Sequence, residues 1–231
     1  AFADAAAAGA AGCPARKEFI VKSLQNNLLS KMTINLATAG DADSWARSDW
    51  IYWGYATPGL APQATATKRA GNYDKWAEDG ATALANANIR AAFTDNDAAV
   101  ITTNIMQTYI QATLRYLNKM DKDVAGGSAT AGWKNQGEGW GFYKVIADYV
   151  GGADASGAST LASAYELTTR NTASTNYCTG LSILLKILPT HMGDLGTLNE
   201  DYSSNGVDYT SGACIGPDMA GLVQDAADLK A

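Results

Sequence analysis

The fold class is decided by residues 94–120, which read TDNDAAVITTNIMQTYIQATLRYLNKM. Thr94 or Asp95 is placed to cap a helix, and Asp97 favours its first turn. Apolar side chains then recur every three or four residues: Ile101, Ile105, Tyr109, Ala112, Tyr116 and Met120. This spacing predicts a long amphipathic α-helix that buries one face and ends near Met120.

Helical spacing also predominates on either side of this stretch, and no long segment alternates apolar and polar residues as a strand would. Pro14 can open a helix that runs to about residue 37. Its expected apolar face consists of Phe19, Ile20, Leu24, Leu28 and Met32. Residues 58–67 read as a loop. Further helices are predicted over residues 44–55, 73–90, 133–150, 158–169, 177–188 and 218–230. The sequence therefore predicts an all-α protein, a single-domain helical bundle of about seven to eight helices with long loops.

Length and charge limit the possible functions. The chain has 231 residues, a net charge of −6 and a mean hydropathy of −0.14. We place one domain at residues 13–231, after an Ala/Gly-rich segment over residues 1–12. No apolar stretch is long enough to span a membrane, and no basic cluster suits nucleic acid. The opening Ala1-Phe2-Ala3 resembles the end of a cleaved signal, which favours a secreted, periplasmic or cell-surface protein, with the thylakoid lumen as the alternative.

The three cysteines, Cys13, Cys178 and Cys214, do not define a disulfide framework. In an exported protein, Cys13–Cys178 and Cys178–Cys214 are both plausible bridges. The alternative is that all three are small buried apolar residues.

Signatures of catalysis are poor. The chain has a single histidine, His191, and no serine within a Gly-x-Ser-x-Gly turn. No Gly-rich loop follows a strand to cradle phosphate, and the Glu-x-x-His pairs of di-iron bundles are missing. We therefore expect a protein that is not an enzyme.

One face of the long helix is polar. Asn104, Gln107, Gln111 and Arg115 follow one another at steps of three and four residues, so they share that face. A buried Arg115 needs an acid, and Glu138, which lies in a Gly-rich and aromatic helix, is the candidate. We interpret the two as a buried ion pair. The alternative is that Glu138 binds a metal or substrate at the centre of the bundle.

Aromatic residues crowd the second predicted helix: Trp45, Trp50, Tyr52, Trp53 and Tyr55. Because they occupy more than one face, they indicate a buried helix. The alternative is a surface for a pigment, sugar or other hydrophobic ligand.

Three stretches carry a resemblance when they are taken in order: residues 45–73, ending KRAGNY; residues 111–116, QATLRY; and residues 136–143, QGEGWGFY. Together they resemble the algal low-iron-inducible periplasmic proteins, the iron-assimilation family of the high-CO2-inducible type. The resemblance implies secretion and a part in iron uptake. It also carries over the recurrent polar positions of the family: Lys68, Arg69, Asn72, Gln111, Arg115 and Glu138. The resemblance implies an acidic pair directly after the first tryptophan, Trp45. In this chain, Asp49 is the only carboxylate that follows close to that position.

Ferric iron prefers several hard anionic oxygens. Glu138 and Asp49 offer two carboxylates, and Tyr109 or Tyr116 could add a phenolate, so these four are the candidate metal ligands. Lys68, Arg69 and Arg115 would oppose a bare cation, and with Asn72 and Gln111 they favour a synergistic anion or an iron chelate. The leading hypothesis is a non-enzymatic protein that binds iron or an iron complex for iron assimilation.

Two other classes of function are alternatives to this hypothesis. The first is a carrier of a hydrophobic ligand or pigment, suggested by six Trp and eleven Tyr residues. The second is a structural accessory protein of the cell surface or thylakoid lumen, with a surface or membrane-protein partner.

Overall fold

The computed structural model describes residues 13–70, 77–78 and 82–185, and this part of the chain is all-α, as predicted. The exception is a short antiparallel pairing of β1 (Ala77–Glu78) with β2 (Thr82–Ala83). A π-helical segment, Ser23–Leu28, joins α1 to α2, and a 3-10 turn, Pro58–Leu60, precedes α4. In chain order the α-helices are α1 (Cys13–Lys22), α2 (Leu29–Ala39), α3 (Ala42–Trp53), α4 (Pro62–Ala70), α5 (Leu84–Asp95), α6 (Ala98–Ala125), α7 (Ala129–Ala153), α8 (Ala155–Tyr165) and α9 (Asn176–Leu185).

Helix α6 is the long helix that the sequence predicts. Its stripe from Ile101 to Met120 is buried, as expected. The predicted cap is wrong, because Thr94 and Asp95 belong to the end of α5. Asp97 is the N-cap instead: its carboxylate accepts hydrogen bonds from the backbone N–H groups of Ala99 and Val100, both at 3.0 Å.

Helix α6 packs against α7 and also contacts α2, α4, α5 and α9, so it forms the centre of the core. The ring of Phe142 on α7 lies between two tyrosines of α6, with centroids 6.1 Å from Tyr109 and 5.3 Å from Tyr116. At the far end of α6, buried Asp121 accepts hydrogen bonds from the backbone N–H groups of Asn176 and Tyr177, at 3.0 and 2.8 Å. Asp121 therefore fixes the start of α9 to α6.

The first helical region occurs where predicted, but its expected buried face is correct only at its start, where Phe19 is buried and Ile20 packs against the core. Leu24, Leu28 and Met32 are exposed to 55, 51 and 39%. The buried positions in the second half of this region are Asn26, Ser30, Thr33 and Ala37. Hydrophobicity alone misplaces the face because the buried polar side chains are hydrogen-bonded within the protein, as Ser30 is to Tyr109.

Two other boundaries also differ from the prediction. Residues 58–67 are not a loop, because Pro62 opens α4 and its fixed φ suits the first turn of a helix. The helix predicted from residue 73 begins at Leu84, after the β1–β2 pairing. Its first residues, 73–76, lie outside the described residues.

The later helices follow the prediction with shifted ends. Asp154 caps α8 and accepts a hydrogen bond from the Gly157 N–H at 2.8 Å. Helix α8 ends at Tyr165 rather than near residue 169. The helix predicted over residues 218–230 and the segment 1–12 lie outside the described residues, so the domain limits stay a prediction.

Cys13 is exposed and carries a free thiol in this structure. A bridge between Cys13 and Cys178 is therefore not formed here. Cys214 lies outside the described residues, so its pairing with Cys178 stays a prediction.

Candidate functional site

A cavity of about 100 Å³ opens between the π-helical segment, α4 and the α6–α7 pair. This volume holds a few water molecules or one small ion. The residues that line it are Lys22, Gln25, Asn26, Gly59, Leu60, Ala61, Ala64, Thr65, Lys68, Arg69, Tyr116 and Phe142.

Basic side chains dominate the charge of the cavity. Lys22 comes from the end of α1, while Lys68 and Arg69 come from the last turn of α4. Arg69 is only 6% exposed, and its charge offsets a small part of the rise that burial causes in the pKa of Tyr109 and of Tyr116. Among the residues that the structure describes, no carboxylate lines the cavity. The cavity therefore attracts a small anion and opposes a bare cation.

One wall of the cavity is fixed by buried hydrogen bonds. The Tyr109 hydroxyl donates to Asn26 Oδ1 at 3.0 Å and accepts from Ser30 Oγ at 2.9 Å. Thr65 Oγ1 donates to the same Asn26 oxygen at 2.6 Å, and Asn26 Nδ2 donates to the Lys22 carbonyl at 3.1 Å. This network joins α6 and α4 to the π-helical segment and gives the cavity a preformed shape.

Tyr116 connects the cavity to a pair of acids. Its hydroxyl shares a hydrogen bond with Glu138. Burial is the main cause that raises the pKa of Tyr116, and Glu138 raises it further. The pKa of Glu18 is also raised, first by burial and then by a hydrogen bond and like charge from Glu138. Two neighbouring carboxyl groups share a proton more readily than they carry two charges. Lys22 and Lys134 partly offset this repulsion.

Two glycines explain why these acids meet. A Cβ on Gly137 would collide with the backbone of Ala15, and one on Gly141 would lie 2.6 Å from Lys22 Cβ. Helices α1 and α7 therefore touch along their backbones on both sides of Glu18 and Glu138. The Gly-rich run in α7 serves close helix packing.

The predicted metal ligands do not come together. Tyr109 is buried in the network around Asn26, and burial raises its pKa, which opposes a phenolate. Asp49 lies on α3, and its carboxylate accepts a hydrogen bond from the Tyr55 hydroxyl at 3.2 Å. Only Tyr116 and Glu138 of the four are in contact. In the part of the chain that the structure describes, no group of three or more His, Cys, Asp or Glu side chains could hold a metal ion.

The predicted anion-binding residues are partly brought together. Lys68 and Arg69 line the cavity, as the anion hypothesis requires. Gln111 is buried in α6, and the Arg115 guanidinium lies 5.5 Å from the centre of the Tyr116 ring. Neither residue lines the cavity, and Asn72 lies outside the described residues.

The expected ion pair between Arg115 and Glu138 is not present. Between described residues, the ion pairs are those of Lys31 with Asp148 and of Arg47 with Asp43. Glu138 interacts instead with Glu18 and Tyr116. The polar face of α6 is nevertheless buried at Asn104, Gln107 and Gln111.

Sequence reasoning missed Lys22, Asn26, Thr65 and Glu18. Asn26 and Thr65 carry no sequence signal by themselves, because their roles depend on meeting Tyr109 across the bundle. Lys22 and Glu18 could have been found from their spacing. They stand four residues apart on α1, and they therefore point toward the same neighbouring helix.

The aromatic residues of α3 are divided between core and surface. Tyr52 is buried and donates to Asn86 Oδ1 at 2.7 Å, and Arg90 stacks on Trp53 at 4.2 Å. Trp50 and Tyr55 are exposed to 54 and 61%. The prediction of a buried helix is therefore only partly correct.

No described helix is both long and apolar enough to cross a membrane. Comparisons with protein-family models, with curated proteins and with solved structures find no match to this chain.

Proposed function

We propose that this protein is a non-enzymatic binding protein for a small oxyanion, and that it takes up iron as an anionic complex or together with a synergistic anion. The observation that carries the proposal is the cavity that joins Lys22, Lys68 and Arg69, whose described lining residues include no carboxylate. Three basic side chains that line one cavity favour a carboxylate, a carbonate or a metal chelate that presents either group.

Iron enters the proposal through the resemblance to the algal iron-assimilation proteins. Lys68, Arg69 and Glu138 belong to the polar positions of that resemblance, and the first two line the cavity. In this proposal, Tyr116 and Glu138, which share a hydrogen bond, are the oxygen donors for an iron ion held beside the anion, and Tyr116 would bind it through a hydroxyl whose pKa is raised by burial. Tyr109 and Asp49 are not part of the proposed site.

Location and disulfide content belong to the same proposal. We expect the protein in the periplasm or at the cell surface, with the thylakoid lumen as the alternative. A bridge between Cys178 and Cys214 suits an oxidising compartment. Two observations support that pairing: Cys13 is a free thiol, whereas Cys178 is disulfide-bonded.

The carrier hypothesis has less support. Pockets for drug-sized ligands usually measure several hundred Å³, on the order of 300 or more. The described cavity is about 100 Å³, and three basic side chains line it beside two aromatic ones.

Iron retention tests the proposal. The protein is loaded with ferric citrate, freed of excess by gel filtration and analysed for iron. We expect near-stoichiometric iron in the wild type and a loss of about tenfold in retention for Lys68→Gln and for Lys22→Gln, since each removes a charge from the cavity. Arg47→Gln is the matched control, because Arg47 is an exposed cation paired with Asp43 on α3. Wild-type protein without iron, or variants that retain iron normally, would overturn the proposal.

A further inference from the structure

We propose that Asn26 gives the cavity its directional recognition of an oxyanion: one N–H of its side-chain amide donates a hydrogen bond to an oxygen of the bound anion. The inference rests on the proposed function, because it names the neutral donor of the same site. Asn26 is only 2% exposed, yet it lines the cavity. It lies in the π-helical segment, which directly follows Lys22, another residue of the lining.

Three hydrogen bonds fix the orientation of the Asn26 amide. Its oxygen accepts from the hydroxyls of Tyr109 and Thr65, at 3.0 and 2.6 Å. Its nitrogen donates to the carbonyl oxygen of Lys22 at 3.1 Å. A carbonyl can only accept, so the nitrogen must face Lys22 and the oxygen must face the two hydroxyls. The amide therefore cannot turn over without losing these bonds.

The π-helical segment suits this arrangement. An α-helix bonds each carbonyl to the backbone N–H four residues later, whereas a π-helix bonds it to the N–H five residues later. Asn26 stands four residues after Lys22, and its side chain supplies a donor to that carbonyl. The amide is therefore held against the backbone at the wall of the cavity. Such π-helical turns occur frequently at functional sites.

One N–H of this amide remains without an acceptor in the protein. An asparagine nitrogen carries two hydrogens. Among the residues that the structure describes, the Lys22 carbonyl is the single acceptor for Asn26 Nδ2. Buried donors are rarely left without a partner, because they lose their hydrogen bonds to water. Since Asn26 lines the cavity, an occupant of the cavity is the partner that this second hydrogen can reach.

Asn86 has a similar set of hydrogen bonds away from the cavity. Its oxygen accepts from the Tyr52 hydroxyl at 2.7 Å. Its nitrogen donates to the Gln63 carbonyl at 3.2 Å and to Thr67 Oγ1 at 2.9 Å. Asn86 is also buried, and both of its amide hydrogens therefore have partners inside the protein. The second hydrogen of Asn26 is thus a feature of the cavity, and not of buried asparagines in general.

The donors of the cavity suit an oxyanion. Lys22 and Lys68 carry point charges on flexible stems, and these attract any anion. The Asn26 amide is neutral and held in place, so it contributes direction rather than charge. An oxyanion has several oxygen acceptors, and it can therefore bind the amide and a cationic side chain at the same time. A cavity of about 100 Å³ has room for an ion of the size of bicarbonate.

NMR of the asparagine side-chain amides tests the inference directly. The full chain, labelled with 15N-asparagine, is titrated with sodium bicarbonate at constant ionic strength. We expect one Asn26 amide proton to shift downfield and to saturate together with the heat of binding measured by calorimetry. The other proton, which bonds the Lys22 carbonyl, should move much less. Both amide protons of Asn86 should stay in place.

A pair of matched variants tests the same bond. Asn26→Leu and Asn86→Leu each remove a buried amide that bonds a tyrosine and a threonine hydroxyl, and neither changes the charge. Asn26→Leu should bind bicarbonate at least about tenfold more weakly, as expected for a lost hydrogen bond to a charged group. Asn86→Leu should bind as the wild type does, although thermal unfolding should show a similar loss of stability.

The outcomes separate this inference from the proposed function. Saturable heat without a shift of either Asn26 proton would leave anion binding in place and overturn the role of Asn26. Equal weakening of binding by Asn26→Leu and Asn86→Leu would overturn it too, because the loss would then follow stability alone. Neither heat nor shift in the wild type would overturn both. The NMR titration decides the question if Asn26→Leu does not fold.

Discussion

The carboxyl group of Glu18 on α1 lies beside that of Glu138 on α7, and the Tyr116 hydroxyl shares a hydrogen bond with Glu138. This contact places two acids next to a cavity lined by Lys22 and Arg69. The acids and the basic side chains therefore form one electrostatic unit, in which the charge of the pair affects how strongly the cavity holds an anion.

Glu18→Gln should change how stability depends on pH. The pKa of Glu18 is raised above its usual value of 4.5, so the native state holds this proton more tightly than the unfolded state does. The stabilisation from that proton is complete below about pH 4.5 and is lost as the pH rises through the native pKa. The difference in unfolding temperature between Glu18→Gln and the wild type should therefore shift in favour of the variant as the pH rises from about 4.5 to 7.

Thermal unfolding at several pH values measures this trend. Glu166→Gln is the matched control, because Glu166 is an exposed acid at the end of α8. An advantage of Glu18→Gln that stays constant with pH, or that shrinks as the pH rises, would contradict the described contact between Glu18 and Glu138.

Gly137→Ala should destabilise the protein by about 1–3 kcal/mol, because the new methyl group would meet the backbone of Ala15. Gly152→Ala lies in the same helix with open space around it, and it should be neutral or slightly stabilising, since alanine favours helix. Urea unfolding measures both variants. Similar stability of the two would show that α1 and α7 do not pack as closely as described.

Tyr109→Phe should cost about 1–2 kcal/mol, because the hydroxyl joins Ser30 to Asn26 inside the core. Tyr55→Phe should have almost no effect, since its hydroxyl bonds Asp49 at the surface. Measuring the free energy of unfolding of both variants tests this difference. A neutral Tyr109→Phe would mean that the network around Asn26 does not hold this wall of the cavity.

Peptide mapping without reduction should find Cys178 joined to Cys214 and Cys13 as a free thiol. The exposed Cys13 thiol should react with a maleimide in the folded protein, because access and ionisation govern the reactivity of a thiol. Recovery of a Cys13–Cys178 peptide from the native protein would contradict this pairing.

The sequence predicts most of the helices because their apolar spacing is local. Helix α6 is the clearest case, since its stripe from Ile101 to Met120 is buried as the spacing requires. Its start was misplaced because Thr94, Asp95 and Asp97 are all able to cap a helix. Only Asp97 has the backbone geometry at which its carboxylate meets two free N–H groups.

The site was harder to predict because it depends on contacts between distant segments. Lys68 and Arg69 both line the cavity, and their position beside Lys22 follows from how α4 sits on the π-helical segment. Leu24, Leu28 and Met32 are predicted to be buried because leucine and methionine usually are, but all three are exposed. Asn26 and Ser30 occupy the inner face instead, where their polar groups bond Tyr109.

Isothermal titration calorimetry with sodium bicarbonate, in the absence of iron, tests the central claim most directly. The account predicts saturable binding by the wild type that weakens with added salt. Lys22→Gln/Lys68→Gln should bind at least about tenfold more weakly, because both residues line the cavity, while the control Arg47→Gln should bind as the wild type does. No detectable binding by the wild type, or equal binding by the double variant, would contradict the claim that this cavity binds an anion.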